Sequence, residues 1–369
     1  MKIAIICCSF SVFLLFACAN KSSEVSKRPK NVVLLIADGT GLSQVSAAFY
    51  YKDTPVNYQR FQNIGLIRTS SSRQKITDSG AGATAFASGV KTYNGAIGVA
   101  DDSTSVRNLV EIASQNNLKT GVIATSSITH ATPACFYAHQ VHRNMAEEIA
   151  TQLPTAELDF FAGGGLQFFN QRSDGKNYIE KLIQNNFTID TLALGTYESI
   201  ENNKKQGYLL AKDGMKKITE GRGDFLPEAT ELALQFLSKE KTGFFAMVEG
   251  SQVDWGGHDN DANYLISELI DFDETIGKVL DFAESDGETL VVVTSDHETG
   301  GFTLASKKIK RNEGMSYNDY NELEPSFATN GHSAALIPVF AYGPGSEIFS
   351  GVYENTEIFH KILKVSNWK

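Results

Sequence analysis

Asn31-Val-Val-Leu-Leu-Ile-Ala37, running straight into Asp38-Gly39-Thr40-Gly41, is the stretch that decides the fold. An apolar, β-branched run with no polar alternation describes a strand buried on both faces, which is how strands of a helix-covered parallel sheet read. The pattern recurs. Lys119-Thr-Gly-Val-Ile-Ala-Thr125 leads to His130-Ala131-Thr132-Pro133, and Gly243-Phe-Phe-Ala-Met-Val248 ends in Glu249-Gly250. Thr289-Leu-Val-Val-Val-Thr-Ser295 ends in Asp296-His297-Glu298. In an open α/β sheet, ligands gather outside the carboxyl ends of the parallel strands, so these polar ends are expected to converge on one site. The predicted fold is α/β, a mostly parallel central sheet with helices on both faces. Candidate ligands are scattered from Asp38 to His332, and that interleaving argues for one domain although 369 residues would allow two.

Thr77-Asp78-Ser79-Gly80-Ala81-Gly82-Ala83-Thr84-Ala85 adds the chemistry. A serine between a carboxylate and very small residues, opening an Ala-rich helical pattern, is placed to take a phosphoryl group facing the unpaired N–H groups of a helix start. Taken alone such a run is more often a close-packed helix start or a plain loop; its company changes the reading. Asp254 and His258, four apart in Asp254-Trp255-Gly256-Gly257-His258, can share one metal, and His332 can complete two nitrogens and a carboxylate, a set that suits zinc. Asp296 and His297, just past a strand end, can reach one ion together with Asp38. Asp38, Thr132 and Glu249 offer only oxygen, which suits magnesium. His139 and His142, three apart on an expected helix, lack anything nearby to complete a site and read as surface or neighbouring residues, as does His360.

On these motifs, from about Pro29 to the C-terminus, the chain resembles the alkaline phosphatase family. The resemblance implies that Ser79 is the nucleophile, with Gly80 standing where the family usually has alanine. It implies two zinc ions and one magnesium: the first zinc on Asp254, His258 and His332, the second on Asp38, Asp296 and His297, and magnesium on Asp38, Thr132 and Glu249. Arg143, eleven residues past Thr132, falls at the phosphate-clamping arginine; a planar guanidinium can hold two phosphate oxygens at once. His130 and Trp255 stand where some members have Asp and Lys, and are expected to tune the magnesium and phosphate sites from beside them. The implied reaction is hydrolysis of phosphate monoesters of varied alcohols, with an alkaline optimum, through a phosphoseryl enzyme. A homodimer is also implied. A phosphodiesterase or sulfatase of the same superfamily should lack Thr132, Glu249 or Arg143, and a phosphate-capturing lipoprotein would not need Ser79 beside metal ligands.

A net charge of −10 leaves no basic footprint, so nucleic acid is excluded as a binding partner. Met1-Lys2 and the apolar run to Ala17 are too short to span a membrane and match a secretory signal. Residues 1–18 are read as a signal peptide of lipoprotein type, because Leu15-Phe16-Ala17-Cys18 resembles a lipobox; Phe16 departs from that pattern, which leaves conventional cleavage as the alternative. Residues 19–30 read as a polar tether and 31–369 as the catalytic domain, with insertions near 170–223 and 307–330. The expected address is the periplasm or cell envelope, with the membrane met only through a lipid on Cys18. Cys135 is the one cysteine outside the leader, so no internal disulfide is expected.

Overall fold

The computed structural model describes residues 28–201, 203–310 and 316–369; the leader with Cys18 and most of the tether lie outside these. The described strands are β1 (Asn31–Ala37), β2 (Asn63–Arg68), β3 (Lys119–Ser127), β4 (Phe160–Gly164), β5 (Phe187–Asp190), β6 (Lys205–Leu209) and β7 (Phe244–Gly250). They continue with β8 (Thr289–Thr294), β9 (Glu298–Thr299), β10 (Thr303–Lys310), β11 (Ser316–Ser326), β12 (His332–Ser333), β13 (Ile337–Tyr342) and β14 (Gly351–Glu354). Ten of them build one sheet in the order β14-β2-β13-β8-β1-β7-β3-β4-β6-β5. Only β13 opposes the common strand direction, pairing antiparallel with both β8 and β2. The mostly parallel sheet expected from the apolar runs is therefore present.

Register explains how distant residues meet. β1 lies between β7 and β8, with Ile36 opposite both Glu249 and Thr294, so Asp38, Glu249 and the residues after Thr294 emerge side by side. β3 pairs with the far edge of β7, Ala124 facing Glu249, and carries the chain to Thr132.

Alternate residues of β1 serve opposite cores. Val32, Leu34 and Ile36 pack with Phe86, Leu109 and Ile358 under the helices Ser79–Ser88, Leu109–Gln115 and Glu357–Ser366. Val33, Leu35 and Ala37 pack with Val45, Leu226 and Phe272 under Leu42–Tyr51, Phe225–Leu237 and Ala262–Asp286. A fully buried side chain such as Phe86 or Phe272 contributes about 1.5–3 kcal/mol, enough in sum to hold the sheet between its two helix layers. Among the described residues no helix is long and apolar enough to cross a membrane.

The polar stretch 170–223 contains β5 and β6, which extend the sheet in parallel beyond β4. Of the stretch 307–330, residues 307–310 and 316–326 belong to the antiparallel pair β10–β11, much of it solvent-exposed. The edge strand β5 and the exposed β10–β11 pair need no continuous apolar run, and the buried β6 is only five residues long and includes Lys205, Gln206 and Gly207, so neither stretch reads as strand in the sequence. His139 and His142 are not on a helix: they lie in the irregular segment between the short helix Ala131–Ala134 and the helix Ala146–Gln152, beside the Ile97–Gln140 bridge. His139 is occupied by the Gly98 carbonyl and the Glu111 carboxylate.

Candidate metal and phosphate site

Ser79 is the first residue of its helix and Asp78 is the cap: the Asp78 carboxylate accepts from the Ala81 N–H at 3.0 Å and from the Gly95 N–H at 3.0 Å. Arg143 Nη1 donates to the same carboxylate at 3.0 Å. Burial works to raise the Asp78 pKa, but Arg143 and the two N–H donors outweigh it and hold the carboxyl below its ordinary range. The glycines of the motif are spatial requirements. A Cβ on Gly82 would sit 2.9 Å from the Asp296 Cβ, and one on Gly80 2.8 Å from the Ala96 carbonyl oxygen. Gly80 thus fits a close backbone approach that the extra methyl of an alanine would crowd. Ser79, 2% exposed, has its Oγ 3.4 Å from His297 Nε2.

Around it the strand ends bring together Asp38, Glu249, Asp254, Asp296 and His297, all buried. Asp38, Asp296 and His297 place one ligand atom each within 4.8 Å of one another, and so do Asp254, His297 and His332. His258 Nε2 closes on the second group, 3.4 Å from Asp254 Oδ1 and 3.2 Å from His332 Nε2. Both exposed-side imidazoles are oriented from behind: His258 Nδ1 lies 2.6 Å from the Asn330 carbonyl and His332 Nδ1 2.9 Å from the Thr77 carbonyl, so each Nδ1–H donates outward and each Nε2 faces the cluster. Thr299 donates to Asp254 Oδ1 at 2.5 Å and Ser251 to Glu249 Oε2 at 2.6 Å. The sequence reading passed over both hydroxyls, although Ser251 and Thr299 stand within two residues of Glu249 and His297; their side-chain direction was the missing information.

Charge and hydrogen bonding together ask for cations. Both oxygens of Asp38, Asp296 Oδ2, Glu249 Oε1 and Thr132 Oγ1 are buried without a hydrogen-bond partner, although His297 Nε2 approaches Asp296 Oδ2 at 3.2 Å and Asp38 Oδ1 at 3.6 Å. Each such atom costs about 1–3 kcal/mol if left unsatisfied. Burial, then the charges of Asp296, Asp254 and Glu249, push the Asp38 pKa well up. Burial chiefly, with Asp296 adding and the Ser251 hydroxyl opposing, pushes Glu249 up to about 7. His258 is drawn up to about 9 by its Asp254 partner against the effect of burial. The donor set of carboxylate oxygens, imidazole nitrogens and one hydroxyl fits hard and borderline divalent ions.

Arg143 is held on two edges, by Asp78 and by His130, whose Nε2 lies 3.3 Å from Arg143 Nη2. Burial and the Arg143 charge push His130 down to about 3, so it is neutral and its Nε2 accepts. The His130 ring meets Trp255 edge to face at 5.9 Å. Behind Trp255 lies Gly214, where a Cβ would stand 2.7 Å from the indole Cη2. Gly214 belongs to a strap across the helix Gln252–His258. Met215 N–H donates to the Thr125 carbonyl, Gln252 Nε2 donates to the Met215 carbonyl, and Lys217 Nζ sits 3.9 Å over the Tyr264 ring. Arg222 latches the strap to the helix Ala262–Asp286 through Glu268 at 2.6 Å and Asp271 at 2.7 Å, all three side chains nearly inaccessible. No sequence signal marked Gly214 or Arg222. Cys135 is buried and free, its thiol pushed up to about 12 by burial.

Residues 29–323 match the alkaline phosphatase family. The chain belongs to that family. Alkaline phosphatase 3 of Bacillus subtilis is 32% identical over 91% of this chain and 88% of its own length. The solved alkaline phosphatase of the Antarctic bacterium TAB5 is 62% identical, covers 93% of this chain and 99% of its own, and superposes with a TM-score of 0.91. A histidine-to-glutamate variant of that enzyme, 63% identical with a TM-score of 0.92 over 93% and 99% of the two chains, carries Mg in its M3 site. As an alkaline phosphatase, this protein is a metal-binding hydrolase of phosphate monoesters.

Proposed function

We propose that Ser79 is the nucleophile and that the reaction passes through a phosphoseryl enzyme. The observation that carries this is the place of the Ser79 hydroxyl: at a helix N-terminus, beside His297, between the metal-ligand clusters and the Asp78–Arg143 pair. Zinc on Asp254, His258 and His332, zinc on Asp38, Asp296 and His297, and magnesium on Asp38, Thr132 and Glu249 would supply the positive charge that stabilises the seryl and leaving oxygens. The oxygens of Asp38, Asp296, Glu249 and Thr132 that are buried without a hydrogen bond support that assignment, as does Mg in the M3 site of the TAB5 variant.

The protein's own groups do the rest. Arg143, its guanidinium oriented by Asp78 and His130, binds the non-bridging phosphate oxygens and stabilises charge that grows on them. His258 and His332, steered by the Asn330 and Thr77 carbonyls, fix where the ester oxygen departs. Thr299 and Ser251 hold Asp254 and Glu249 in single orientations, so little reorganisation is needed as charge moves. Water then attacks the phosphoseryl group from the face the alcohol has left, releasing inorganic phosphate. The alcohol is not gripped by the charged cluster, which supports broad specificity.

Exposed Leu42 and Leu336, which border one cavity, and exposed Phe49 and Tyr50 farther along the helix Leu42–Tyr51 support a homodimer. Export to the periplasm or envelope, with Cys18 lipidated, rests on the leader sequence. The deciding experiment is Ser79→Ala with labelled substrate: the variant keeps its metal content and melting temperature, loses nearly all turnover and traps no phosphate on protein. Wild-type turnover by the variant would overturn the nucleophile assignment.

A further inference from the structure

In-line displacement sends the departing alcohol to the side of phosphorus opposite the nucleophile, so the space beyond His258 and His332 decides which alcohols fit. A cavity of about 580 Å3 opens there, bounded by Asp78, His258 and His332 and by Lys75, Ile76 and Asn94. Its size suits a whole small organic group in addition to a phosphate.

The wall that carries Lys75 and Ile76 is built rather than loose. The Gln74 N–H donates to Ser71 Oγ at 3.1 Å, Asn94 Nδ2 donates to the Ile76 carbonyl at 3.1 Å, and His332 Nδ1 donates to the Thr77 carbonyl at 2.9 Å. This backbone presents an exposed Ile76 side chain and an exposed Lys75 side chain beside one another. Lys75 has no hydrogen-bond or ion-pair partner among the described residues. The one carboxylate lining the cavity, Asp78, is already neutralised by Arg143 and two backbone donors. The other cation nearby in sequence, Arg73, is committed to Asp101. In a chain of net charge −10, the described residues at the mouth of the site therefore hold a single uncommitted positive charge, Lys75.

We propose that this cavity is the alcohol subsite and that Lys75 makes the enzyme favour phosphate monoesters whose alcohol half bears a second anionic group, with Ile76 giving its carbon skeleton an apolar contact. The inference rests on the assignment of Ser79 and the two histidines above. An exposed ion pair of this kind changes kcat/KM by about two- to fivefold, and it is screened by salt.

The test compares matched substrates: glycerol 3-phosphate against 3-phosphoglycerate, and fructose 6-phosphate against fructose 1,6-bisphosphate. Lys75→Met lowers kcat/KM about two- to fivefold for the second member of each pair, mainly through KM, and leaves the first member unchanged. Lys75→Glu enlarges the gap, and high ionic strength erases the difference between wild type and variants. An effect confined to one pair assigns Lys75 to carboxylate or to phosphate alone. Equal loss on both members of each pair, or no loss on either, overturns the proposal. Failure of the underlying site assignment would show separately, as turnover of glycerol 3-phosphate by Ser79→Ala.

Discussion

Removing the metals should make the protein less stable as pH rises, and Glu249 provides the means to measure by how much. Its carboxyl is fully buried, one oxygen has no partner, and its pKa stands at about 7 against an ordinary 4.5. Between those two values the folded chain keeps a proton that the unfolded chain has lost, so stability falls as pH climbs through this window and stays reduced above pH 7. From 4.5 to about 7, at 1.36 kcal/mol per tenfold change in proton concentration, the full penalty is about 3 kcal/mol, of which about 2–3 kcal/mol develops between pH 5 and 8. The perturbation is Glu249→Gln in protein stripped with chelator, and the assay is urea unfolding at both pH values. The variant also lacks the Glu249 charge that helps to raise Asp38, and that relief acts in the same direction as the loss of the Glu249 carboxyl. The stability of the variant relative to wild type should therefore rise by about 2–3 kcal/mol from pH 5 to pH 8. Adding magnesium should reverse the order at pH 8, since an ion that binds the folded state stabilises by about 2.7 kcal/mol at a hundred times its Kd. Parallel pH curves for the two proteins would refute the reasoning and remove Glu249 from the buried-charge cluster.

Arg222→Met strips the one cation from two buried carboxylates and should cost about 3–5 kcal/mol in unfolding experiments. Replacing Glu268 and Asp271 by leucine as well should recover most of that loss, and a cost under 1 kcal/mol for the single variant would mean the strap is not latched there. Gly214→Ala should displace the Trp255 indole and, through it, disturb the His130 hold on Arg143. Phosphate inhibition then weakens several-fold while the melting temperature and metal content hold; an unchanged inhibition constant would uncouple Gly214 from the clamp.

The apolar runs of β1, β3, β7 and β8 determined by themselves that a parallel sheet forms and at which of its ends the candidate ligands gather, because a strand buried on both faces must be apolar throughout. The placement of Ser79 was equally local: Asp78 and the glycines around it dictate a capped, uncrowded helix start. Oxygen-only and nitrogen-bearing groups could be told apart by residue type before any contact was known. What only the tertiary structure decided involves partners far apart in sequence whose residue types carry no mark of their meeting. The polar β5 and β6 became strands because β4 offered an unsatisfied edge. His130 became the second hold on Arg143 because β3 and the turn after it bring an imidazole and a guanidinium to 3.3 Å. Gly214 faces Trp255, and Arg222 lies between Glu268 and Asp271, only once the strap has crossed the helix Gln252–His258. Local patterns declare an element and its chemistry, whereas the fit of one element on another is set by side-chain packing that no single segment encodes.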